Sequence, residues 1–376
     1  MIKHRNIILL VICITLWYSK GHGQLDNTNS NRGSQSAEFK HTEFAIPTAP
    51  AFSLLNADPS LVSMPGVVRD FKVDWSMRTY KLTPNLSLEA TPIWSFFYDK
   101  PGYKKYQQAG KFMRRLSSLN LSLGTIQFDT TRQVAIAAKI NLFSQKDFYA
   151  DKALGEIAYT DLKPMRDTLA AQIDRLRESE KSATTDAEKV AIDYQVFQLE
   201  QQLLNYDMQI KERTNTIRNI YMRRFWNAAS LDLCFGKSYS YFSEVIDSLK
   251  LQNRGFGVWL TGGIGIGKSG FVSGIVKYVQ FSSETFSWQR GLNFRYGGLR
   301  YHFFIEGVAQ TDETNILDVN TGTNRLQRSN TINIGYGGAF RIGSNLLLSF
   351  GIRTIYDNKL NFNSLLPIAN LSCLMR

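Results

Sequence analysis

Beyond its first two dozen residues the chain has no run of about eighteen apolar residues, which excludes a transmembrane helix there. Cysteine is scarce: Cys13, Cys234 and Cys373 are the whole set, and the last two sit apart in apolar runs, so a disulfide framework is excluded. Histidine is scarcer still past the N-terminus, where only His41 and His302 remain; with two separated cysteines they do not make a usual zinc set. Residues 144–224 nearly lack glycine, while the flanking segments are rich in it. Carboxylates fall short of cations by twelve. That excess suggests an anionic partner, and anionic lipid headgroups are a simpler one than nucleic acid for an exported chain.

Export is the reading of the N-terminus. Lys3, His4 and Arg5 precede an apolar stretch, Ile7 to Trp17, and Gly21-His22-Gly23 offers small residues before a cut ahead of Gln24. Ile12 is too bulky for a lipobox before Cys13. Residues 1–23 therefore read as a signal peptide, and 24–43 as a polar, disordered lead-in. Residues 44–66 are apolar with Pro47, Pro50, Pro59 and Pro65, which forbid a long helix or central strand. They suit a plug in a barrel mouth, or a stiff linker.

From Val67 the period is two. Phe71, Val73, Trp75 and Met77 alternate with Asp70, Lys72, Asp74 and Ser76, and Leu86 through Trp94 repeat the pattern. Four such runs fill 67–143 and eight more fill 225–376, many of ten residues or longer. A globular strand averages five or six residues, whereas a tilted bilayer crossing takes about 9–11. Near the C-terminus Leu346, Leu348, Phe350 and Ile352 oppose Ser349, Gly351 and Arg353, and Ile332, Ile334, Tyr336, Phe340 and Ile342 oppose Thr331, Asn333, Gly335, Gly337 and Arg341. Apolar outside with small or polar inside is the dyad of a membrane barrel. The expected fold is an all-β membrane barrel of about twelve antiparallel strands in the outer membrane. A soluble periplasmic β-sandwich binding protein is the competing architecture. Connections GKSG, GGL and GSN are tight, and Lys237–Arg254, Thr311–Arg328 and Asp357–Ser364 are longer, as short periplasmic turns and outer loops alternate in barrels.

Between the fourth and fifth strands, 144–224 read as an inserted antiparallel coiled-coil hairpin. Ile192, Val196, Leu199, Leu203, Tyr206 and Ile210 recur at spacings of four and three, and Met165, Leu169, Ile173 and Leu176 form the facing stripe after Pro164. Thr185-Asp186-Ala187-Glu188 is a capping box opening the second arm, expected from about Asp186 to Ile220. The insertion holds 13 basic and 14 acidic residues, so the whole positive excess lies outside it. Its connection shares parity with the tight turns; if those are periplasmic, so is the hairpin, as an arm for a periplasmic protein or peptidoglycan.

The segment PTAPAFSLLNADPSLVSMPGVVRDF, followed by LSLEATPIWSF, resembles the opening of a group of uncharacterised outer-membrane β-barrel proteins of Bacteroidota. The resemblance covers Pro47–Phe97 and implies location and fold; it carries no chemistry, and the helical insertion departs from it. A cut ahead of Gln24 suits the same phylum.

Gly262-Gly263-Ile264-Gly265-Ile266-Gly267-Lys268-Ser269 satisfies the P-loop pattern, but a P-loop needs a helix to begin at the lysine. The following GFVSGIVKYVQF is β-branched and alternating, so a strand–turn–strand is expected and no nucleotide. Arg295, His302, Glu306, Arg341 and Arg353 are expected as a polar network inside the lumen. No catalytic, cofactor or metal residues are assigned, and the chain is expected not to be an enzyme, acting instead as channel, export accessory or envelope scaffold. An outer-membrane hydrolase of lipid or surface polymer is the alternative, and would need Ser, Asp or Glu beside His302.

Overall fold

In the computed structural model, the described residues are 46–78, 81–98, 103–128, 131–151, 162–241, 251–281, 285–318, 323–343 and 345–375. The expected signal peptide and disordered lead-in lie outside them. Twelve strands form one closed antiparallel barrel: β1 (Phe71–Arg78), β2 (Lys81–Ala90), β3 (Asn120–Phe128), β4 (Thr131–Ser144), β5 (Ser230–Tyr241), β6 (Gln252–Ile266), β7 (Gly270–Gln280), β8 (Thr285–Gly297), β9 (Tyr301–Asp318), β10 (Thr323–Arg341), β11 (Leu346–Asp357) and β12 (Phe362–Met375). Each strand pairs with its chain neighbours, and β1 closes on β12 with Phe71 opposite Met375 and Arg78 opposite Ile368. Closure leaves no open edge, which separates this fold from the sandwich.

The outer wall is apolar and uncovered. Leu123, Ile136, Phe235, Ile264, Leu292, Phe303, Ile305, Tyr336 and Phe350 all stand exposed on it. In water such a belt would drive aggregation; in lipid it is the matching surface.

Three expectations are corrected. Pro92 and Trp94 do not continue the second strand: β2 stops at Ala90, and Pro92 opens a short helix in the first-turn position, where its missing N–H costs nothing. Thr311–Arg328 is mostly not a loop, because β9 and β10 stay paired from Tyr301–Phe340 out to Asp318–Thr323. The lumen is not only polar: Trp259, Ile275, Val279, Val308, Ala135 and Ala137 are buried in one cluster with the Pro-rich segment.

That segment carries helix α1 (Pro50–Leu54) and is buried along its length. Inner-wall glycines admit it. A Cβ on Gly124 would stand 2.9 Å from Ala51 Cβ, and one on Gly257 would stand 2.7 Å from Leu54 Cδ1.

Between β2 and β3 lie α2 (Pro92–Phe97), α3 (Tyr103–Gln108) and α4 (Lys111–Leu116), which the two-residue period did not announce. Between β4 and β5 lie α5 (Lys163–Ser182) and α6 (Asp186–Phe225). Thr185 and Glu188 form the expected capping box, and α6 runs five residues past the expected end. At 1.5 Å per residue it extends about 60 Å. Arg166 pairs with Asp207 at 2.6 Å, and Arg177 with Glu200, so the two helices lie side by side and antiparallel. Ile173, Val196 and Ile210 are buried between them; Leu169, Leu176, Ile192, Leu199, Leu203 and Tyr206 are half-buried, and Met165 is exposed but touches Tyr206 through sulfur. These inserted helices, the start of β1 and the end of β12 share one end of the barrel with the turns β6–β7, β8–β9 and β10–β11.

Candidate functional site: the filled lumen and its helical end

Prolines and irregular backbone keep residues 46–68 out of the sheet, so their buried N–H and C=O groups need partners from elsewhere. Wall side chains supply them. Lys72 donates to Pro47 O, Asp74 accepts from Ala49 N at 3.2 Å, and Ser122 accepts from Ala51 N. Lys277 donates to Ser53 O at 2.7 Å, Ser76 to Ala57 O, and Arg353 to Asp58 O at 2.6 Å. Glu306 accepts from Leu61 N at 2.8 Å and Val62 N at 3.2 Å, and Asp232 accepts from Gly66 N at 2.8 Å. Donors and acceptors on β1, β3, β5, β7, β9 and β11 thus replace the ladder a strand would have had. Lys72, Asp74, Asp232, Lys277, Glu306 and Arg353 are the buried charges that do this.

The charges also satisfy one another. Lys72 Nζ lies 2.8 Å from Glu89 and 3.1 Å from Asp74, and Lys139 lies 3.4 Å from Glu89, which accepts from Asn120 at 2.7 Å. Unpaired, such groups would cost several kcal/mol each on burial.

Of the lumen residues named from sequence, Arg295, His302 and Glu306 come together. Arg295 lies 3.3 Å from His302 Nε2 and donates to Val62 O, while Asn293 and Ser60 both donate to Glu306. Arg341 borders the same small cavity of about 50 Å3. Arg353 belongs elsewhere, at the Asp58 node with Asn370. Sequence reasoning missed Lys72, Asp74, Glu89, Lys139, Asp232 and Lys277. Their signal was present, since each is a charge on the inward register of an alternating strand.

At the helical end, Arg69 follows the plug and lies over Trp94, Tyr106 and Tyr149, at 4.6, 5.3 and 4.7 Å from the ring centroids. Its guanidinium pairs with Asp147 at 2.9 Å, which also accepts from the Tyr106 hydroxyl. Burial, with Asp147 adding to it, pushes the Tyr106 phenol up to about 12. Tyr221 of α6 packs into the same aromatic cluster. Trp226, just past α6, stacks on His302 and donates to Lys268 O, and Asn227 donates to Gly267 O and Gly270 O. So the base of the arm is bolted to the GKSG turn. Gly267 has φ +60° and no helix begins at Lys268, so the P-loop pattern is a hairpin turn here.

A closed twelve-stranded barrel with an apolar outer belt defines the class: this is an outer-membrane β-barrel protein. No protein-family model matches the chain, and no curated protein sequence does. Solved structures do. The chain is similar to the outer membrane protein Omp33 of Acinetobacter baumannii at 6% identity and TM-score 0.32, over 83% of this chain and 100% of that one. It is similar to the CymD monoaromatic hydrocarbon channel at 9% identity and TM-score 0.29, over 91% and 97%. OmpT of Vibrio cholerae matches at 7% identity and TM-score 0.29, over 82% and 98%. The expectation that the chain is not an enzyme is corrected on this point. A closed barrel hosts many unrelated functions, so the fold alone neither requires nor excludes catalysis. His302 Nε2 lies 3.3 Å from Arg295 Nη1 and its ring stacks on Trp226; among the described residues no Ser, Asp or Glu, which the alternative reading required, is hydrogen-bonded to it.

Proposed function

We propose that this protein is an envelope scaffold: a barrel filled by its own segment that holds out a two-sided helical arm to a partner helix in the periplasm. One observation carries the reading. On α6 a second apolar stripe, Val190, Tyr194, Phe197, Leu204 and Met208, is more than half exposed. Its spacings of 4, 3, 7 and 4 are heptad spacings with Gln201 at the omitted position. At 100° per residue this stripe lies opposite the Ile192–Ile210 seam that faces α5. A helix with apolar rows on two opposite faces is built to lie between two helices, and α5 covers only one.

The apolar chemistry favours a protein helix over a sugar polymer. The shared end with the chain's first and last strands and the tight turns supports the periplasmic side. The test is a photo-crosslinking residue at Met208 in the membrane-inserted, full-length protein. One discrete adduct is expected, lost when Phe197 and Leu204 are both changed to Asp and retained when exposed Gln202 is changed. An adduct of twice the chain's mass would make the partner a second copy. An adduct indifferent to the Phe197 and Leu204 changes, or none, contradicts the reading.

A further inference from the structure

The helical end also carries a cavity that the scaffold reading does not use. It measures about 360 Å3 and is bordered by Arg69, Lys111, Arg114, Arg115 and Lys146. Among the described residues that line it Asp147 is the one carboxylate, and Arg69 and Tyr106 already engage it. Arg114 is held in place by donating to Ala109 O and Gln107 O, at 2.8 and 3.0 Å. Lys111 and Arg115 stand exposed at the rim. From Tyr103 to Leu116 the sequence has five cations and no carboxylate.

The apolar half of the feature is adjacent. Phe143, half-exposed on the outward face of β4, lines the cavity, and Leu121 and Leu123 continue the exposed wall on β3. Phe96, Phe97 and Phe112 project from α2 and α4, each about two-thirds exposed or more. Cations beside exposed aromatic rings, continuous with a lipid-facing wall, form the chemistry of a membrane interface. A phosphate diester would meet Lys111, Arg114 and Arg115, while its acyl chains would lie along Phe143 and the β3 wall. Peptide and nucleic acid ligands would leave that apolar half unmatched.

We infer that the cavity between α4 and the end of β4 is a headgroup site for an anionic phospholipid, fixing the barrel's depth at the helical end. The inference is independent of what the arm docks. It is tested with the full-length protein, delipidated in detergent, by equilibrium binding of phosphatidylglycerol carrying a fluorescent acyl chain. Lys111→Ala with Arg115→Ala is expected to weaken binding at least about tenfold, each cation near a membrane surface contributing comparably. Lys111→Arg should retain binding, and a zwitterionic phosphatidylcholine probe should bind both forms equally weakly. Both substituted positions are exposed, so heat-modifiable gel mobility should remain unchanged and report an intact barrel. Equal affinity of the wild type and the double variant would overturn the site. So would equal binding of the two lipids by the wild type. Displacement of the probe by millimolar-range inorganic phosphate alone would make it a phosphate site, not a lipid one.

Discussion

At the scale of single residues, the lumen shows why a membrane barrel can carry so many buried charges. Glu306 is the clearest case, accepting from Ser60 Oγ, Leu61 N, Val62 N and Asn293 Nδ2. Glu306→Ala would strand those donors, at about 1–3 kcal/mol for each left unmatched. The amides of Leu61 and Val62 should then exchange hydrogen markedly faster, with Glu306→Gln intermediate because one oxygen still accepts. Unchanged exchange in the alanine variant would mean the plug is held elsewhere. Tyr106 gives a second test. Its phenol is pushed up to about 12, so the protonated form is favoured in the fold. The associated stabilisation is intact below the ordinary tyrosine value near 10 and is lost as pH rises through about 12. Comparing tyrosinate absorbance titrations of the wild type and Tyr106→Phe should show that the missing group ionises near 12. A missing group that ionises near 10 would place Tyr106 in water.

At the scale of elements, strand faces and helix faces make separable predictions. On β11, Phe350 is half-exposed to lipid, and a lysine there should cost about 2–4 kcal/mol in the barrel's folding equilibrium. Ser349→Asp should be tolerated, because Ser349 borders the small cavity that Arg295 and Arg341 line. Gly351→Lys should not: a Cβ there would already stand 3.1 Å from Phe304 Cζ and 3.2 Å from Pro59 Cβ. Denaturant titration of the three variants decides it, and an equal cost of Phe350→Lys and Ser349→Asp would contradict the assignment of the two faces. On the arm, Leu199→Asp with Leu203→Asp puts carboxylates into the α5 seam and should lower the arm's helical melting temperature. Phe197→Asp with Leu204→Asp acts on the opposite face and should leave melting unchanged. Replacing 163–211 by a short Gly/Ser link should leave a heat-modifiable barrel, since Tyr221 and Trp226, which seat the arm's base, remain.

For the molecule as a whole, alternation and loop parity were enough to read twelve strands and the place of the helical insertion, because a two-residue period survives without any long-range information. Interior contents were harder. Lys72 and Lys277 carry inward charges in plain view, yet only the Pro-rich segment's position shows what they bind. Trp259 is buried although it lies on a barrel strand, because α1 gives the lumen an apolar core that strand periodicity cannot reveal. The Val190–Met208 stripe was legible at the same heptad spacing as the seam that was read, but exposure tells which of two stripes lacks a cover. The central claim is that the barrel is closed by its own residues 46–68. Single-channel recording in planar bilayers tests it most directly, with insertion verified by heat-modifiable mobility. The account predicts no sustained conductance from the wild type and discrete openings from Glu306→Ala combined with Lys277→Ala. A steady open-channel current from the wild-type protein would contradict it.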